Sequence, residues 1–252
     1  MDLDLKDRVV LITGGASGIG AAIVRAVVNE GAAAVIADRS AEHEVARAKV
    51  YVVAGDLTSA ENCRQTVDQT LEHFGRLDAL VNNAGVNDRV GLERGNPAEY
   101  VASLQRNLLH YYNMAHYALP ALKDSRGSVV NIASKTAITG QGDTSGYASA
   151  KGAILALTRE WAVELAPYGI RSNAVVPAEV MTPLYRSWLE TFPDPEEKLA
   201  GIVARIPLGK RMTTPDEIAS MVTFLISGKA SHITGQHLYV DGGYVHLDRA
   251  IS

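Results

Sequence analysis

The segment Thr13-Gly14-Gly15-Ala16-Ser17-Gly18-Ile19-Gly20 determines the fold expected of this 252-residue chain. It follows an apolar run at residues 8–13 that is typical of a buried strand, and it leads into a helical pattern at residues 18–30. Glycines permit a tight turn and let the backbone approach a pyrophosphate closely, while the N-terminus of the following helix supplies free N–H groups. A strand, a glycine-rich loop and a helix in this order predict a dinucleotide-binding fold.

Short apolar runs alternate with helical patterns along the rest of the chain. Unalternating hydrophobic strands joined by helices predict a parallel sheet covered on both faces, and right-handed crossovers make that sheet doubly wound. We therefore predict a single α/β domain over residues 1–252, with a doubly wound parallel seven-stranded sheet (a Rossmann fold). The predicted strands are residues 8–13, 33–38, 50–54, 77–82, 127–133, 170–176 and 237–240, and the predicted helices are residues 18–30, 59–74, 97–119, 146–168 and 215–226.

Composition and charge narrow the classes of function. A net charge of −4 without any basic run argues against nucleic acid and an anionic membrane surface as partners. The N-terminus lacks the apolar run of a signal peptide, no stretch approaches the roughly 20 apolar residues of a membrane span, and Cys63 is the only cysteine, so we expect a cytoplasmic protein. The seven histidines form no metal-binding pattern, so we expect surface or capping roles for them and no metal site.

Several polar residues fall at the predicted carboxyl ends of strands, where ligands bind in open α/β sheets. Asp38 could accept hydrogen bonds from the adenosine ribose and would repel the 2′-phosphate of NADP, which predicts NAD as the cofactor. Arg39 could meet such a phosphate, and it keeps NADP open as an alternative. Asp56 could bond the adenine edge or cap the next helix, and Asn82-Asn83-Ala84-Gly85 could pack under a cofactor and tie strands together.

Tyr147 and Lys151 stand four residues apart, about one helical turn, so both side chains should emerge on one face. Free tyrosine loses its proton only near pH about 10, and a neighbouring ammonium stabilises the phenolate. We therefore expect Lys151 to lower the pKa of Tyr147. The phenol could then move a proton on or off an alcohol whose oxygen is held by Ser134.

Together these motifs resemble the classical short-chain dehydrogenase/reductase family, and the resemblance extends over essentially the whole chain from Lys6 onward. It implies that Tyr147 is the general acid/base and that Lys151 holds the nicotinamide ribose. It also implies that Ser134 positions the substrate oxygen and that Asn107 supports a water-linked proton relay. The cofactor site expected on these grounds consists of Gly14, Ser17, Gly18, Ile19, Gly20, Asp38, Arg39, Asp56, Leu57, Asn83, Ala84, Gly85, Tyr147, Lys151, Pro177, Val180 and Thr182.

The segment Val176-Pro177-Ala178-Glu179 departs from the family, which usually has Pro-Gly at that point. The Glu179 carboxylate could accept hydrogen bonds from a polyhydroxylated substrate, or it could point to solvent or cap the next turn. The polar loop at residues 134–145 also favours a polar substrate. An aromatic lid could close over the site within residues 180–210, unless its aromatic residues only pack in a helix. The expected substrate contacts are Asn87, Ser134, Thr136, Gln141, Tyr147, Glu179, Tyr185 and Trp188, of which the last two are the lid residues.

Residues 107–112, 134–137, 177–186 and 241–250 resemble one subgroup, the bacterial L-fucose dehydrogenase-like enzymes. That subgroup oxidises an aldose at its anomeric carbon to a lactone. The resemblance therefore implies NAD-dependent oxidation of L-fucose, or of L-galactose or D-arabinose, at C1. A 3-oxoacyl thioester reductase or another secondary-alcohol dehydrogenase is the first alternative, against which Asp38 and Glu179 argue.

A second alternative is a non-catalytic nucleotide-sensing protein, which would be expected to lack Tyr147 or Lys151; both are present. The family resemblance further implies a homotetramer with two-fold axes. The helices at 97–119 and 146–168 carry apolar positions beyond what one sheet face needs, and the tail at 242–252 could pack across an interface.

Overall fold

The computed structural model describes residues 2–43 and 49–247. Neighbouring strands of its central sheet are all parallel and lie in the order β3-β2-β1-β4-β5-β6-β7. The predicted single α/β domain with a doubly wound seven-stranded sheet is confirmed. The strands are β1 (Val9–Thr13), β2 (Ala33–Asp38), β3 (Val50–Ala54), β4 (Ala79–Asn82), β5 (Ser128–Ile132), β6 (Arg171–Pro177) and β7 (His237–Val240).

Helices cover both faces of the sheet, as hydrophobic, unalternating strands require. The helices α1 (Gly18–Asn29) and α8 (Pro215–Ile226) share one core with Val10 and Ile12 of β1. On the opposite face, Val9 and Leu11 belong to a second core. The helices that contribute to this second core are α2 (Ala60–Phe74), α4 (His110–Ser125) and α5 (Ser145–Leu165). The strand order reverses between β1 and β4, so their carboxyl ends form the crevice where ligands bind in such sheets.

The helix predicted at residues 97–119 is longer and less regular than expected. It consists of α3 (Pro97–Leu104), a π-helical segment (Gln105–Leu109) and α4, which ends only at Ser125. Pro120 lies inside α4 at an exposed position, where water can satisfy the carbonyl that loses its helical donor. By contrast, the helix predicted at 146–168 ends earlier than expected, at Leu165. The chain continues as a 3₁₀ turn, which Gly169 closes with a φ of +70°.

Residues 180–210 contain two helices that the sequence analysis did not predict. They are α6 (Pro183–Leu189) and α7 (Pro195–Val203). Thr182 and Asp194 cap their N-termini, and each helix has proline at its first position, which is a recognised start signal. Within the residues that the structure describes, no helix combines the length and the apolar character needed to cross a membrane.

Candidate active site

The glycine-rich loop is packed so tightly that side chains would not fit. Gly14 and Gly18 have φ angles of +66° and +57°, and a Cβ on Gly20 would lie 2.0 Å from the Gly14 carbonyl oxygen. A Cβ on Gly14 would lie 2.9 Å from Cα of Ala84, at the end of β4. The helix α1 is described in full. Its N-cap residue, Ser17, makes no side-chain capping bond, and its first turn carries no acidic residue. These features fit a pyrophosphate bound at the N-terminus of α1.

Asn83 ties the end of β4 to the end of β1. Its Nδ2 donates to the carbonyl oxygens of Thr13 at 2.9 Å and Gly14 at 3.1 Å. The Thr13 hydroxyl accepts hydrogen bonds from the backbone N–H groups of Asn83 at 2.9 Å and Ala84 at 3.0 Å. The strand-tying role expected for this segment is therefore present, and it fixes the floor of the crevice.

Asp38 lies beside the glycine-rich loop, where its carboxylate accepts a hydrogen bond from the backbone N–H of Ala16 at 3.2 Å. Arg39 is exposed. Asp56 accepts hydrogen bonds from the backbone and the hydroxyl of Thr58, both at 2.9 Å, and these bonds hold its pKa below the ordinary value. Ser59 caps α2, so the alternative role of Asp56 as the helix cap is wrong.

Ser134, Tyr147 and Lys151 come together at the carboxyl end of β5. The Ser134 hydroxyl hydrogen-bonds to the Tyr147 phenol, and Thr136 donates to Ser134 Oγ at 3.1 Å. Lys151 Nζ donates to the carbonyl oxygen of Ile132 at 2.7 Å and lies 5.5 Å from the centroid of the Tyr147 ring. The predicted one-turn spacing thus places both side chains of α5 on the crevice side.

In the chain as described, the pKa of Tyr147 is shifted upward, because burial outweighs the lowering expected from Lys151. Burial raises the pKa of Tyr147 to about 12, against the lowering effect of its hydrogen bond with Ser134. Burial also lowers the pKa of Lys151 to about 7. Removal from water disfavours the charged form of either group, and the two shifts therefore run in opposite directions. The sequence showed that these residues are neighbours but not how deeply they are buried.

Asn107 lies in the π-helical segment, near Lys151. Its Oδ1 accepts a hydrogen bond from the backbone N–H of Val86 at 2.7 Å, and its Nδ2 donates to the Ser103 carbonyl oxygen at 3.0 Å. A Cβ on Gly85 would lie 3.0 Å from Asn107 Oδ1 and 3.6 Å from Lys151 Nζ. Gly85 therefore leaves room at this point for both side chains. Single π turns often occur at functional sites.

A buried ion pair lies next to Ser134. Lys135 Nζ bonds Oε1 of Glu179, and the two side chains are only 8% and 12% exposed. The other oxygen, Oε2, accepts a hydrogen bond from the Tyr185 hydroxyl at 2.8 Å, and Lys135 Nζ also lies 4.2 Å from the centroid of the Tyr244 ring. The alternative that Glu179 points to solvent is wrong. The sequence analysis did not single out Lys135, because its partner stands 44 positions away.

The other residues expected at the substrate site are less closely assembled. Asn87 and Gln141 are exposed, and Asn87 Oδ1 accepts a hydrogen bond from the backbone N–H of Arg89 at 3.2 Å. Trp188 packs edge-to-face on Tyr185 within α6, with ring centroids 5.1 Å apart, and the Tyr185 hydroxyl also reaches Glu179.

The loop after β6 approaches the glycine-rich loop. Thr182 caps α6 and lies 3.4 Å from the position that a Cβ on Gly18 would take. Val180 is buried and forms a bridge with Thr213, and Pro177 ends β6. Of the remaining residues expected at the cofactor site, Leu57 is buried and Ile19 is part of α1.

His110 and Tyr111 are buried residues of α4 that the sequence analysis missed. His110 was expected in a surface or capping role, but it is 2% exposed and its Nε2 lies 3.1 Å from the Ala84 carbonyl oxygen. Burial lowers its pKa to about 4, so the ring is neutral at physiological pH. Tyr111 is fully buried, and its hydroxyl contacts Lys151. The sequence signal that could have identified them was their position about one helical turn after Asn107.

Comparison with known proteins agrees with this geometry. A family model described as enoyl-(acyl carrier protein) reductase matches residues 14–245. L-fucose dehydrogenase of Bos taurus is 39% identical over 94% of this chain and 88% of its own length. The 3-oxoacyl-[acyl-carrier-protein] reductase FabG of Thermotoga maritima is 35% identical over 96% of this chain and 99% of its own length.

Solved structures are similar over nearly the whole chain. Cj0485 dehydrogenase has a TM-score of 0.95 at 46% identity, with 99% of this chain and 98% of that chain covered. Thermoplasma acidophilum aldohexose dehydrogenase has a TM-score of 0.91 at 35% identity, with the same coverage of 99% and 98%. With the family model spanning most of the chain, we conclude that this protein belongs to the short-chain dehydrogenase/reductase family and is an NAD(P)-dependent oxidoreductase acting on a CH–OH group.

Proposed function

We propose that this chain oxidises the C1 hydroxyl of an aldose of the L-fucose type to the aldonolactone, with NAD as hydride acceptor. L-galactose and D-arabinose are the proposed co-substrates, since their stereocentres near C1 match those of L-fucose. The observation that carries the proposal is the buried pair of Lys135 and Glu179 next to Ser134. The names of the bovine L-fucose dehydrogenase and the aldohexose dehydrogenase support the same substrate class.

A buried charge pair favours a polar substrate. An acyl chain packed against Lys135 and Glu179 would remove water from both charges and return no hydrogen bonds, which is costly. Sugar hydroxyls can donate to a carboxylate and accept from an ammonium. Glu179 Oε2 accepts one bond, from Tyr185, and a carboxylate oxygen can accept more than one.

In the proposed reaction, Ser134 holds the C1 oxygen of the sugar and Tyr147 removes its proton. Thr136 fixes the orientation of the Ser134 hydroxyl through their 3.1 Å hydrogen bond. A bound nicotinamide cofactor would supply the acceptor for the hydride that leaves C1. Lys151 in its protonated form would stabilise the phenolate of Tyr147, and its pKa of about 7 lets it gain or lose a proton near neutrality. Asn107 would link this pair to water.

The preference for NAD over NADP is proposed from Asp38. Its carboxylate lies at the end of β2, beside the N–H of Ala16, where it can accept hydrogen bonds from ribose hydroxyls. The same charge would repel a 2′-phosphate. Arg39 is the residue that could offset this repulsion.

A 3-oxoacyl thioester reductase is the second candidate, because the Thermotoga maritima reductase is 35% identical over nearly its whole length. Preference for NADPH and turnover of an acyl thioester would support it. Asp38 and the pair of Lys135 and Glu179 disfavour it on charge.

We also propose that the chain forms a homotetramer and that α6 and α7 form a lid over the substrate. Val101, Leu109 and Tyr112 are exposed along the helix at residues 97–125, and Val163 is 73% exposed on α5. Such apolar positions on two long helices suit subunit contacts. The expected interface role of the tail at 242–252 falls partly outside the described residues, which end at 247. A light-scattering mass of one chain would refute the tetramer.

The first experiment measures absorbance at 340 nm with NAD and NADP crossed against L-fucose, L-galactose, D-arabinose, L-rhamnose and D-glucose. The Tyr147→Phe variant is the control. We expect NAD reduction with the sugars of L-fucose configuration and none in the variant. No activity with any sugar and either cofactor would reject the sugar proposal and favour acyl or other secondary-alcohol substrates.

A further inference from the structure

We propose that the Tyr111 hydroxyl positions the ammonium of Lys151 and helps to keep it protonated. The proposal builds on the catalytic role proposed for Lys151. Tyr111 lies on α4, opposite the helix that carries Lys151, and its side chain is fully buried. Lys151 Nζ donates a hydrogen bond to the Tyr111 hydroxyl oxygen at 3.0 Å. Tyr111 is thus a positioning residue, which acts on the reaction through Lys151.

The hydrogen-bond geometry fixes the direction in which the Tyr111 hydroxyl points. Its O–H donates to the carbonyl oxygen of Ile132 at 3.0 Å, and Lys151 Nζ donates to the same carbonyl oxygen at 2.7 Å. A phenol has one proton to donate. Because that proton is directed at Ile132, the lone pairs of the hydroxyl are available to Lys151. The three groups form a closed triangle in which the phenol accepts from the ammonium of protonated Lys151, which has no lone pair of its own.

Among the ionisable groups near Lys151, Tyr111 is a hydrogen-bond partner that stays uncharged. Tyr147 borders it from α5, with its ring centroid 5.5 Å from Nζ. On α4, burial and, to a smaller extent, the charge of Lys151 lower the pKa of His110 to about 4, so the imidazole is neutral near pH 7. Burial and the nearby Tyr147 raise the pKa of Tyr111 well above its ordinary value. Tyr111 therefore stays protonated and does not compete with Tyr147 as a base.

Removing the hydroxyl should act on the charged form of Lys151 and on little else. In a Tyr111→Phe variant, one N–H of the ammonium would be buried without its acceptor, which disfavours protonation. The ring remains, and its centroid lies 5.1 Å from Nζ, so the cation–ring contact is preserved. Loss of a hydrogen bond to a charged group should lower the midpoint of Lys151 protonation by about one to two pH units.

The test follows Lys151 directly, without turnover. The full chain is labelled with ¹³Cε-lysine, the Lys151 signal is assigned by its loss in Lys151→Met, and its chemical shift is followed against pH. We expect the midpoint in Tyr111→Phe to fall by about one to two pH units. Tyr111→Met, which removes both the hydroxyl and the ring, should lower the midpoint at least as much. Tyr168→Phe is the matched control, because the Tyr168 ring faces Lys123 at 3.8 Å, and its Lys151 midpoint should not move.

Kinetics provide the second readout. In sugar oxidation, the alkaline limb of the kcat profile should move to lower pH with the midpoint, because the reaction needs Lys151 in its protonated form, and the plateau should fall about 10- to 100-fold. KM for the sugar should change little. An unchanged Lys151 midpoint in Tyr111→Phe, or a lower plateau with an unmoved alkaline limb, would overturn the inference. Absence of sugar oxidation in the unmodified chain would reject the proposed function, while the titration would still decide the role of Tyr111.

Discussion

Replacing Lys135 by methionine should lower the free energy of unfolding by about 3–5 kcal/mol, because it leaves the Glu179 carboxylate buried without its cation. The side chains of the pair are 8% and 12% exposed, so solvent screens them little. The Tyr185 hydroxyl still donates to Glu179 at 2.8 Å, and this bond places the expected loss towards the lower end of that range. For a domain of this size, the melting temperature should fall by roughly 6–20 °C.

The double variant Lys135→Met/Glu179→Gln isolates the charge. It removes both charges and keeps an oxygen that Tyr185 can bond, so most of the lost stability should return. Urea unfolding followed by circular dichroism, at fixed protein concentration, gives the unfolding free energies of Lys135→Met, of Glu179→Gln and of the double variant. Arg64→Met, which removes an exposed cation from Glu61 and Asp68, is the control and should change stability far less. A loss below about 1 kcal/mol for Lys135→Met, or additive losses in the double variant, would refute the reasoning.

Three further changes test other parts of the crevice. Gly20→Ala should weaken NAD binding, measured by calorimetry, at least roughly tenfold, because its Cβ would lie 2.0 Å from the Gly14 carbonyl oxygen. An unchanged affinity would contradict the assignment of the glycine-rich loop as the pyrophosphate site. Asp38→Ser should reduce the ratio of kcat/KM for NAD to that for NADP at least roughly tenfold, since a like-charge contact is removed; an unaltered ratio would count against Asp38 as the determinant. The unfolding free energy of the cofactor-free chain should rise between pH about 7 and about 10, because Lys151 is neutral in the fold above pH 7 but protonated when unfolded. The fall in the Lys151 pKa from 10.5 to about 7 corresponds to roughly 5 kcal/mol of unfolding free energy. The variant Lys151→Met should lack this part of the increase with pH. An equally large increase in the variant would show that other groups cause it.

Features with a local or periodic signal could be predicted from the sequence. The strands followed from apolar runs, because strands buried on both faces carry little else, and the glycine-rich loop followed from its place between β1 and α1. Tyr147 and Lys151 shared a helix face, as their spacing required. The helices α6 and α7 were missed although a capping residue precedes each of them and a proline is the first residue of each.

Features that depend on tertiary contact could not be predicted. Lys135 and Glu179 meet only because β5 and β6 are neighbours in register, which brings the loops after these strands together. The pKa of Tyr147 depends on burial, which spacing does not reveal. The expected pairing of a phenol with a cation was reasonable for exposed groups, but desolvation is the larger effect here.

The π-helical segment at Gln105–Leu109 places a length constraint on the chain. A π turn holds one residue more than a regular turn, so the faces of α3 and α4 are offset by about 100°. Deleting one residue there would restore a regular helix but rotate Ser103 relative to Tyr111 by about that angle. Ser103 supports Asn107 and Tyr111 contacts Lys151, so one of these contacts would be lost. We therefore expect functional relatives to keep the number of residues between Asn96 and Tyr111 constant and to vary in length elsewhere.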